Sequence, residues 1–323
     1  MKRTIRVVAT LVVTAAAVAY ILSKIDVGKT AHTIGTASVP WLVVSALLTV
    51  STVPLMAWRW QQLLGVRGIP ERVRWLMRAY FVSYAVGQVL PTGVGGDASR
   101  IFETSRRHPG RITPITGSVL LERALGGVVT LVLAGGGLLL AIGRYPIGAY
   151  LWIVGAFVVG TIIFTFVFFS ATMRRRLAFL LPYTRRLRLE TPARAVYEGL
   201  HGYRTERRAM LKVALVTAVA QLLRVVAIYA SGRAVGIHLS LLPYVVLGPL
   251  LFLVMLVPFT INGLGVREAF FVSFLGKLGV GHDEAFACGF LFFVMTILLA
   301  LPGLAIVLWE NVFGRARVAN ATP

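Results

Sequence analysis

Long apolar segments recur along the whole chain, and this feature most constrains its fold. The clearest of them, residues 146–170, holds 25 residues without a charge. Because a helix rises about 1.5 Å per residue, roughly 20 apolar residues cross the hydrocarbon core of a bilayer. The pattern predicts six full spans, at 7–22, 40–58, from about 113 through an apolar body at 125–142, 146–170, 209–232 and 285–309.

Composition excludes the soluble alternatives. Hydrophobic residues make up 57% of the 323 and charged residues 14%, against about 25% charged residues in an ordinary soluble domain. A chain of this kind has too few polar side chains to cover the outside of a soluble fold. We therefore expect an all-α, polytopic integral membrane helix bundle rather than a soluble enzyme or a disordered protein.

The net charge of +21 is concentrated in basic blocks between the apolar segments, at 59–78, 100–111 and 174–212. Cytoplasmic loops of membrane proteins carry an excess of Lys and Arg, so the pattern places these blocks and both chain termini in the cytoplasm. Such surfaces attract anionic lipid. We predict a multi-pass protein of the cytoplasmic membrane whose partners are membrane lipids, chiefly anionic phospholipid, and not nucleic acid.

Three apolar stretches, at 75–90, 239–257 and 269–279, are too short or too interrupted by proline to be ordinary spans. The first two basic blocks share a side only if residues 75–102 enter the membrane and return. The C-terminus is cytoplasmic only if 239–279 does the same from the opposite side. We predict two re-entrant, broken helical hairpins beside the six spans, about eight membrane segments; the alternative is that both hairpins cross fully.

The tips of the two hairpins have similar sequences. One reads Pro-Thr-Gly-Val-Gly-Gly-Asp at 91–97, and the other has proline at 258 followed by Asn-Gly-Leu-Gly-Val-Arg-Glu at 262–268. Opposed hairpins with matching tips are typical of inverted repeats, at whose interface transporters bind substrate; a chance match is the alternative. We interpret 1–323 as one membrane domain, with a first half at 1–170, a basic cytoplasmic loop at 171–208 and a second half at 209–323, broken at 91–97 and 258–268.

The first break is a candidate site for a phosphate headgroup. Glycines adopt backbone angles closed to other residues, and their N–H groups can face an anion. A helix beginning at Asp97 would add the positive end of its dipole, although a tight turn with Asp97 as a simple N-cap fits equally well. The candidate residues here are Gly93, Gly95, Gly96, Asp97 and Arg100.

Other charges interrupt the apolar segments. Glu122 and Arg123 lie inside the span that starts near 113, and Arg224 lies inside 209–232. Charges at membrane depth are costly and usually face the bundle interior, so these residues line a polar cavity or form a structural ion pair with Asp97 or Arg267. At the second break the candidate residues are Asn262, Arg267 and Glu268.

Recognisable catalytic and metal-binding patterns are missing from the sequence. The one cysteine and the five scattered histidines lack the spacing of metal ligands. We find no Ser-His-Asp, paired-carboxylate or P-loop arrangement. We therefore expect no metal and no cofactor and assign no catalytic residue; an enzymatic activity is left open but is not favoured.

Four segments resemble the lysylphosphatidylglycerol synthase transmembrane (flippase-like) family, in the family's order and over nearly the whole chain. They are Arg-Trp-Gln-Gln-Leu-Leu at 59–64, Leu-Pro-Thr-Gly-Val-Gly-Gly-Asp-Ala-Ser-Arg at 90–100, Leu-Glu-Arg at 121–123 and Ile-Asn-Gly-Leu-Gly-Val-Arg-Glu at 261–268. In two-domain members this membrane region precedes a soluble aminoacyl transferase domain that acts on phosphatidylglycerol. The membrane region is associated with moving the product across the bilayer.

The resemblance implies a lipid translocase with a polar intramembrane cavity. Because the chain ends at Pro323, shortly after the last predicted span, we expect no aminoacyl transferase domain and do not transfer the synthase activity. Stand-alone members are also linked to hopanoid, archaeal glycolipid and carotenoid pathways, so the lipid is left open. The alternatives are a membrane-embedded transferase using Asp97 or Glu122, and an accessory subunit whose loop 174–208 docks a separate lipid-modifying enzyme.

Overall fold

The computed structural model describes residues 25–89, 95–145, 148, 152, 155–159, 203, 206–256, 263 and 265–319. Among these residues the regular structure is helical, without a strand. The helices are α1 (Val27–Gly35), α2 (Val39–Val66), α3 (Val73–Val89), α4 (Gly95–Arg107), α5 (Ile112–Ala141), α6 (Arg207–Ala234), α7 (Leu241–Leu256), α8 (Val266–Gly276), α9 (His282–Leu298) and α10 (Ala300–Ala319).

Within the described residues, four helical stretches are long and apolar enough to cross a membrane: α2, α5, α6 and the nearly continuous stretch His282–Glu310. They correspond to four of the six predicted spans, and the chain is a multi-pass membrane protein. The predicted span 7–22 lies outside the described residues, and of 146–170 only residues 148, 152 and 155–159 lie inside them. The break at Leu299 comes three residues before Pro302, which has no N–H to donate to the preceding turn.

The helix that contains the second predicted span extends beyond its predicted end at Trp58. Helix α2 continues for about two further turns, to Val66. The prediction stopped before Arg59 because a charged residue there looked like the start of a basic loop. The structure instead keeps Arg59 inside the helix with only 6% of its surface exposed. Its charge is compensated by a partner on another helix, and α2 therefore has no reason to end there.

Helices α3 and α4 form an antiparallel hairpin. At its open end the side chain of Glu71, just before α3, accepts a 2.7 Å hydrogen bond from Arg107 at the end of α4. Nearer the tip, Arg100 donates to the Tyr80 hydroxyl at 2.8 Å. The 17 residues of α3 reach about 25 Å, less than the roughly 30 Å hydrocarbon core. The start of α3 and the end of α4 therefore lie on the same side of the bundle.

This geometry agrees with the prediction that the first two basic blocks lie on the same side. Re-entry into a membrane, the total of about eight membrane segments and the inverted repeat stay predictions. The tip residues 90–94 lie outside the described part of the chain. So do 257–262 and 264 in the second hairpin, whose described arms are α7 and α8.

The described parts of the three basic blocks meet at one end of the bundle. Arg111 donates a hydrogen bond to the carbonyl of Arg67. Tyr203 donates to the carbonyl of Leu63 at 2.9 Å, and the Arg67 guanidinium lies 5.7 Å from the Tyr203 ring centre. We call this end, formed by residues 63–67, 107–111 and 203, the basic end. Its position in the cytoplasm stays a prediction.

Two apolar clusters form the core, and α5 and α6 pass through both. The cluster near the basic end contains Trp60 and Ile115, and the far cluster contains Leu138, Ile228 and Phe271. Between the two clusters, the segments 122–130 of α5 and 217–224 of α6 carry polar side chains. The fold therefore places a polar layer between two apolar layers.

Glycines allow several helices to approach each other closely. A Cβ added at Gly303 of α10 would lie 1.9 Å from the carbonyl oxygen of Phe81 on α3. One added at Gly137 of α5 would lie 2.8 Å from the carbonyl oxygen of Val245 on α7. Small residues at helix interfaces are typical of membrane bundles, in which tight packing replaces much of the hydrophobic driving force.

We predict that Gly303→Ala destabilises the protein by about 1–3 kcal/mol, because the added methyl group meets backbone of α3 that has no room to shift. Gly136→Ala on α5 is the matched control, since nothing lies within 4 Å of an added Cβ there. Thermal unfolding of both variants in the same detergent measures the effect. Equal melting temperatures would contradict the close contact between α3 and α10.

Candidate functional site

A cavity of about 420 Å³ lies between the two apolar clusters, and helices α2 to α7 all contribute to its lining. This volume is in the range of pockets that hold small-molecule ligands. Its charged lining consists of four arginines and two carboxylates, which leaves a formal excess of two positive charges. These residues are Arg59, Arg100, Arg123, Arg224, Asp97 and Glu122.

The cavity lies well inside the length of the bundle. Glu122 follows the start of α5 by ten residues, and Thr217 follows the start of α6 by ten, which corresponds to about 15 Å along each helix. Arg59 lies seven residues before the end of α2, or about 10 Å. All three residues are buried, so an unpaired charge among them would cost several kcal/mol.

The centre of the site is the carboxylate of Glu122, which is 3% exposed. One oxygen accepts hydrogen bonds from the guanidinium of Arg59 and from the hydroxyl of Tyr80. The other oxygen accepts a 2.6 Å bond from Arg100. Arg59 also donates to the hydroxyl of Thr217 at 2.9 Å. The network joins α2, α3, α4, α5 and α6, and it satisfies Glu122 with three donors from three helices.

A second carboxylate, Asp97, joins the first network to the rim of the cavity. Its Oδ1 accepts bonds from the Nε and a terminal nitrogen of Arg100 at 3.0 and 2.8 Å. Its Oδ2 pairs with Arg123. The side chain of Arg100 is 4% exposed and that of Arg123 is 45% exposed. The ion pairs therefore run from a buried centre to an accessible edge.

Aromatic rings hold the Arg100 guanidinium in place. Its carbon lies 4.8 Å from the ring centres of both Trp60 and Tyr80, and the indole N–H of Trp60 donates to the Ser118 hydroxyl at 2.9 Å. Cation–π contacts of this kind are strongest where water is excluded. Arg100 is thus fixed by two rings and two carboxylates, which suits a structural cation better than one that exchanges partners.

The far wall of the cavity comes from α5 and α6. Gln221 donates from its amide nitrogen to the Thr130 hydroxyl at 2.8 Å. One turn later, Arg224 makes a long 3.4 Å hydrogen bond to the Tyr84 hydroxyl. Arg224 is only partly buried. Together with Arg123, it is a cation that a bound anion could reach.

The first break is built differently from the sequence prediction. Helix α4 begins at Gly95 rather than at Asp97, so Asp97 lies in its first turn and is not the N-cap. Gly95 is buried, and Gly96 lines the cavity. A Cβ at Gly96 would lie 2.5 Å from the carbonyl oxygen of Ser83 on α3. Gly96 is therefore required for the hairpin to close, and the role of these N–H groups toward an anion stays a prediction.

The predicted site residues divide into three groups. Gly96, Asp97, Arg100, Glu122, Arg123 and Arg224 come together at the cavity, whereas Gly93 and Asn262 lie outside the described residues. Arg267 and Glu268 are buried at the start of α8 and do not line this cavity. They pair with each other, Nε to Oε1 at 2.8 Å, and Arg267 lies over the Phe293 ring at 4.2 Å.

The expected ion-pair partners are partly right. Arg123 pairs with Asp97, as expected. Glu122 pairs with Arg59 and Arg100 and not with Arg267, because Arg267 is neutralised by its own neighbour. The predicted site also lacks Arg59, Tyr80 and Thr217. For Arg59 there was a signal, because the apolar residues Leu63 and Leu64 after it indicate that the helix continues. Tyr80 and Thr217 are uncharged and look like ordinary helix residues, so no signal in the sequence pointed to them.

Comparison with known families identifies one match. The family model described as the lysylphosphatidylglycerol synthase TM region matches residues 7–303. This range contains every residue that lines the cavity and all four segments that suggested the resemblance. Searches among curated proteins and among solved structures find no significant match.

We predict that Glu122→Gln destabilises the protein by about 3–5 kcal/mol, because Arg59 and Arg100 would remain buried without their shared counter-charge. Glu103→Gln is the matched control: it removes a partner of Arg78 where the side chain is 25% exposed, and such a change costs under about 1 kcal/mol. Melting temperatures in detergent compare the two. A loss for Glu122→Gln no larger than the control would refute the central role of this carboxylate.

Proposed function

The chain belongs to the lysylphosphatidylglycerol synthase TM-region family, and from this premise we propose that it is a flippase-like lipid translocase of the cytoplasmic membrane. Membership ties the protein to the biosynthesis or translocation of membrane lipids. The observation that supports translocation is the cavity of about 420 Å³ inside an apolar bundle. The lining of this cavity has two excess positive charges. Such a chamber suits the anionic headgroup of a phospholipid.

The charges of the site divide into a neutral floor and an accessible pair. Arg59 and Arg100 are balanced by Glu122 and Asp97 through the contacts described above. Because Asp97 also pairs with Arg123, the two excess positive charges belong to the site as a whole, and Arg123 and Arg224 are its more exposed cations. Guanidinium groups bind phosphate through parallel N–H···O bonds. In this proposal, these two arginines receive the phosphate and the floor keeps them in place.

The acyl chains need an apolar route beside the polar chamber. Helix α7 contributes Phe252 and Met255 to the lining, and the outer face of α5 exposes Val128 and Val132. A headgroup in the cavity would therefore have apolar surface within reach of its tails. This arrangement lets the headgroup cross through the protein while the tails remain in lipid.

The same geometry disfavours the transferase alternative. A general base or nucleophile must have an oxygen available to the substrate. Both oxygens of Glu122 accept bonds from Arg59, Tyr80 or Arg100, and Asp97 is held by two arginines. These carboxylates are arranged to hold cations. The docking alternative concerns loop 174–208, of which only residues 203 and 206–208 belong to the described part of the chain.

We predict that Gly127→Leu slows lipid translocation at least about tenfold, because the new side chain fills the chamber. Gly127 lines the cavity and has open space at an added Cβ, so the fold should tolerate the change. Gly136→Leu, on the same helix but away from the cavity, is the matched control. Proteoliposomes with fluorescent phosphatidylglycerol and a membrane-impermeant quencher give the rate of leaflet exchange.

The outcome is decisive in either direction. Loss of exchange with Gly127→Leu and retention with Gly136→Leu supports transport through the chamber. Equal exchange by wild type and Gly127→Leu would reject the chamber as the route. A new lipid species, detected by mass spectrometry after incubation with lipid extract and donor substrates, would favour the transferase instead.

A further inference from the structure

The hairpin of α3 and α4 and the helix α10 are joined to each other at several levels. Before α3, Glu71 accepts the 2.7 Å hydrogen bond from Arg107 at the end of α4. Further along the hairpin, Arg78 of α3 donates to Glu103 of α4 at 2.9 Å and also pairs with Glu310 of α10. Because α10 also packs closely on α3 at the glycine described above, these three helices form one group, which we call the hairpin unit.

The chain connects the hairpin unit to the other described helices at three places, and each place interrupts the regular helix. The connection between α2 and α3 contains Gly68 with φ at 65°, and the connection between α4 and α5 contains Gly110 with φ at 77°. The third connection is the break at Leu299 between α9 and α10, three residues before Pro302. Rigid groups of helices turn about a few such residues at the ends of elements. The unit is therefore attached through residues that suit a hinge.

The surface that the hairpin unit presents to the other helices has two different halves. Near the basic end, Leu76 and Ala79 of α3 are fully buried in the same apolar cluster as Trp60 and Leu299. Further along, α3 borders the cavity instead, through Ser83, Tyr84, Gly87 and Gln88. Close apolar packing therefore holds the first half of α3, whereas the second half faces the cavity.

The polar contacts between the unit and α5 lie near the boundary of these halves. Tyr80 and Arg100 both donate to Glu122 of α5, and all three residues are at most 6% exposed. Three residues before Arg100, Asp97 pairs with Arg123 of α5. Because separating a buried ion pair leaves a charge without its partner, these contacts oppose any movement that pulls the unit away from α5. They define a point about which the unit can turn.

The contact between the unit and α6 is weaker. Arg224 of α6 donates to the hydroxyl of Tyr84 on α3 at 3.4 Å, beyond the range of about 2.7–3.2 Å for ordinary N–H···O bonds. Both residues are only partly buried, so water can replace this bond when it breaks. A movement of the second half of α3 on this side of the cavity therefore costs little.

We propose that the hairpin unit turns as one body about the ion pairs of Glu122, and that this turn opens the cavity between α3 and α6, at Tyr84 and Arg224. This rests on the proposed function, because the opening gives the headgroup its way in and out. Transporters commonly alternate access by rocking one group of helices against another. From Tyr80 to Val89, α3 reaches about 13 Å beyond the turning point, so a turn of about 20° moves its end by about 5 Å.

Distances between pairs of spin labels, measured on the full-length protein in phosphatidylglycerol liposomes, test the turn without a transport assay. Cys288, the one cysteine of the sequence, is replaced by alanine, and cysteines for labelling are introduced in pairs. The test pair is Val86→Cys on α3 with Leu139→Cys on α5; Val86 is partly exposed and Leu139 is 72% exposed. We expect two distances that differ by about 5 Å, as the estimated turn requires.

The matched control pair is Val86→Cys with Leu308→Cys, because both positions belong to the hairpin unit and Leu308 is 56% exposed. This pair should give one distance. Since both pairs share the label at position 86, a local disturbance by that label would affect both distances and not the test pair alone.

A variant at the weak contact gives the direction of the effect. Tyr84→Phe removes the bond to Arg224 and keeps the ring, so it should raise the ratio of the second distance to the one in this structure by about 2- to 5-fold. Tyr203→Phe is the control for loss of a tyrosine hydroxyl. It removes a 2.9 Å bond to the carbonyl of Leu63, outside the hairpin unit, and should leave the ratio unchanged.

The failures of the two proposals are distinguishable. A single, unchanged distance for the test pair, with and without Tyr84→Phe, would overturn the proposed turn while leaving translocation through the cavity standing. Two distances in the control pair would mean that α3 and α10 do not move together, and would also overturn it. Two distances in the test pair alone, without leaflet exchange in proteoliposomes, would support the turn and reject the transport proposal.

Discussion

A carboxylate buried inside a membrane helix bundle requires positive charge beside it, and Glu122 imposes this requirement on the whole structure. Arg59 of α2, Tyr80 of α3 and Arg100 of α4 all donate to its two oxygens. Because an unpaired charge at this depth costs several kcal/mol, these helices are not free to separate from α5. Apolar packing alone favours contact between helices over contact with lipid less strongly, since lipid tails are as apolar as leucine.

The position of the cavity also depends on Glu122 and its ion pairs. Once α4 is fixed to α5 through Arg100, the neighbouring turn of α5 presents Gly126 and Gly127, and neither glycine has an atom within 4 Å of an added Cβ. The two apolar clusters close the space toward both ends of the bundle. The cavity therefore forms because two glycines, which have no side chains to fill the space, lie beside the ion pairs of Glu122.

Hydropathy predicted the long helices well because nearly every residue of a helix that lies in lipid must be apolar. The expected span 209–232 corresponds to α6, Arg207–Ala234, and charges that interrupt such spans identified Glu122 and Arg224. Arg59 was missed because it lies where a span meets a basic block, and charge alone does not distinguish the last buried turn from the first exposed one. Pairing was only partly predictable, since the partner of Glu122 depends on how helices are rotated about their axes.

A translocase must release its substrate as readily as it binds it, and the division of charge in this site meets that condition. If all the arginines were unpaired, an anionic headgroup would be held too tightly to leave. Two of them are instead neutralised by Glu122 and Asp97, so a phosphate would meet an excess of two charges rather than four. Since Arg123 is already bonded to Asp97, its contact with a phosphate would exchange one partner for another. In the proposed translocase, the affinity for a phosphate would thus be limited by the network that builds the site.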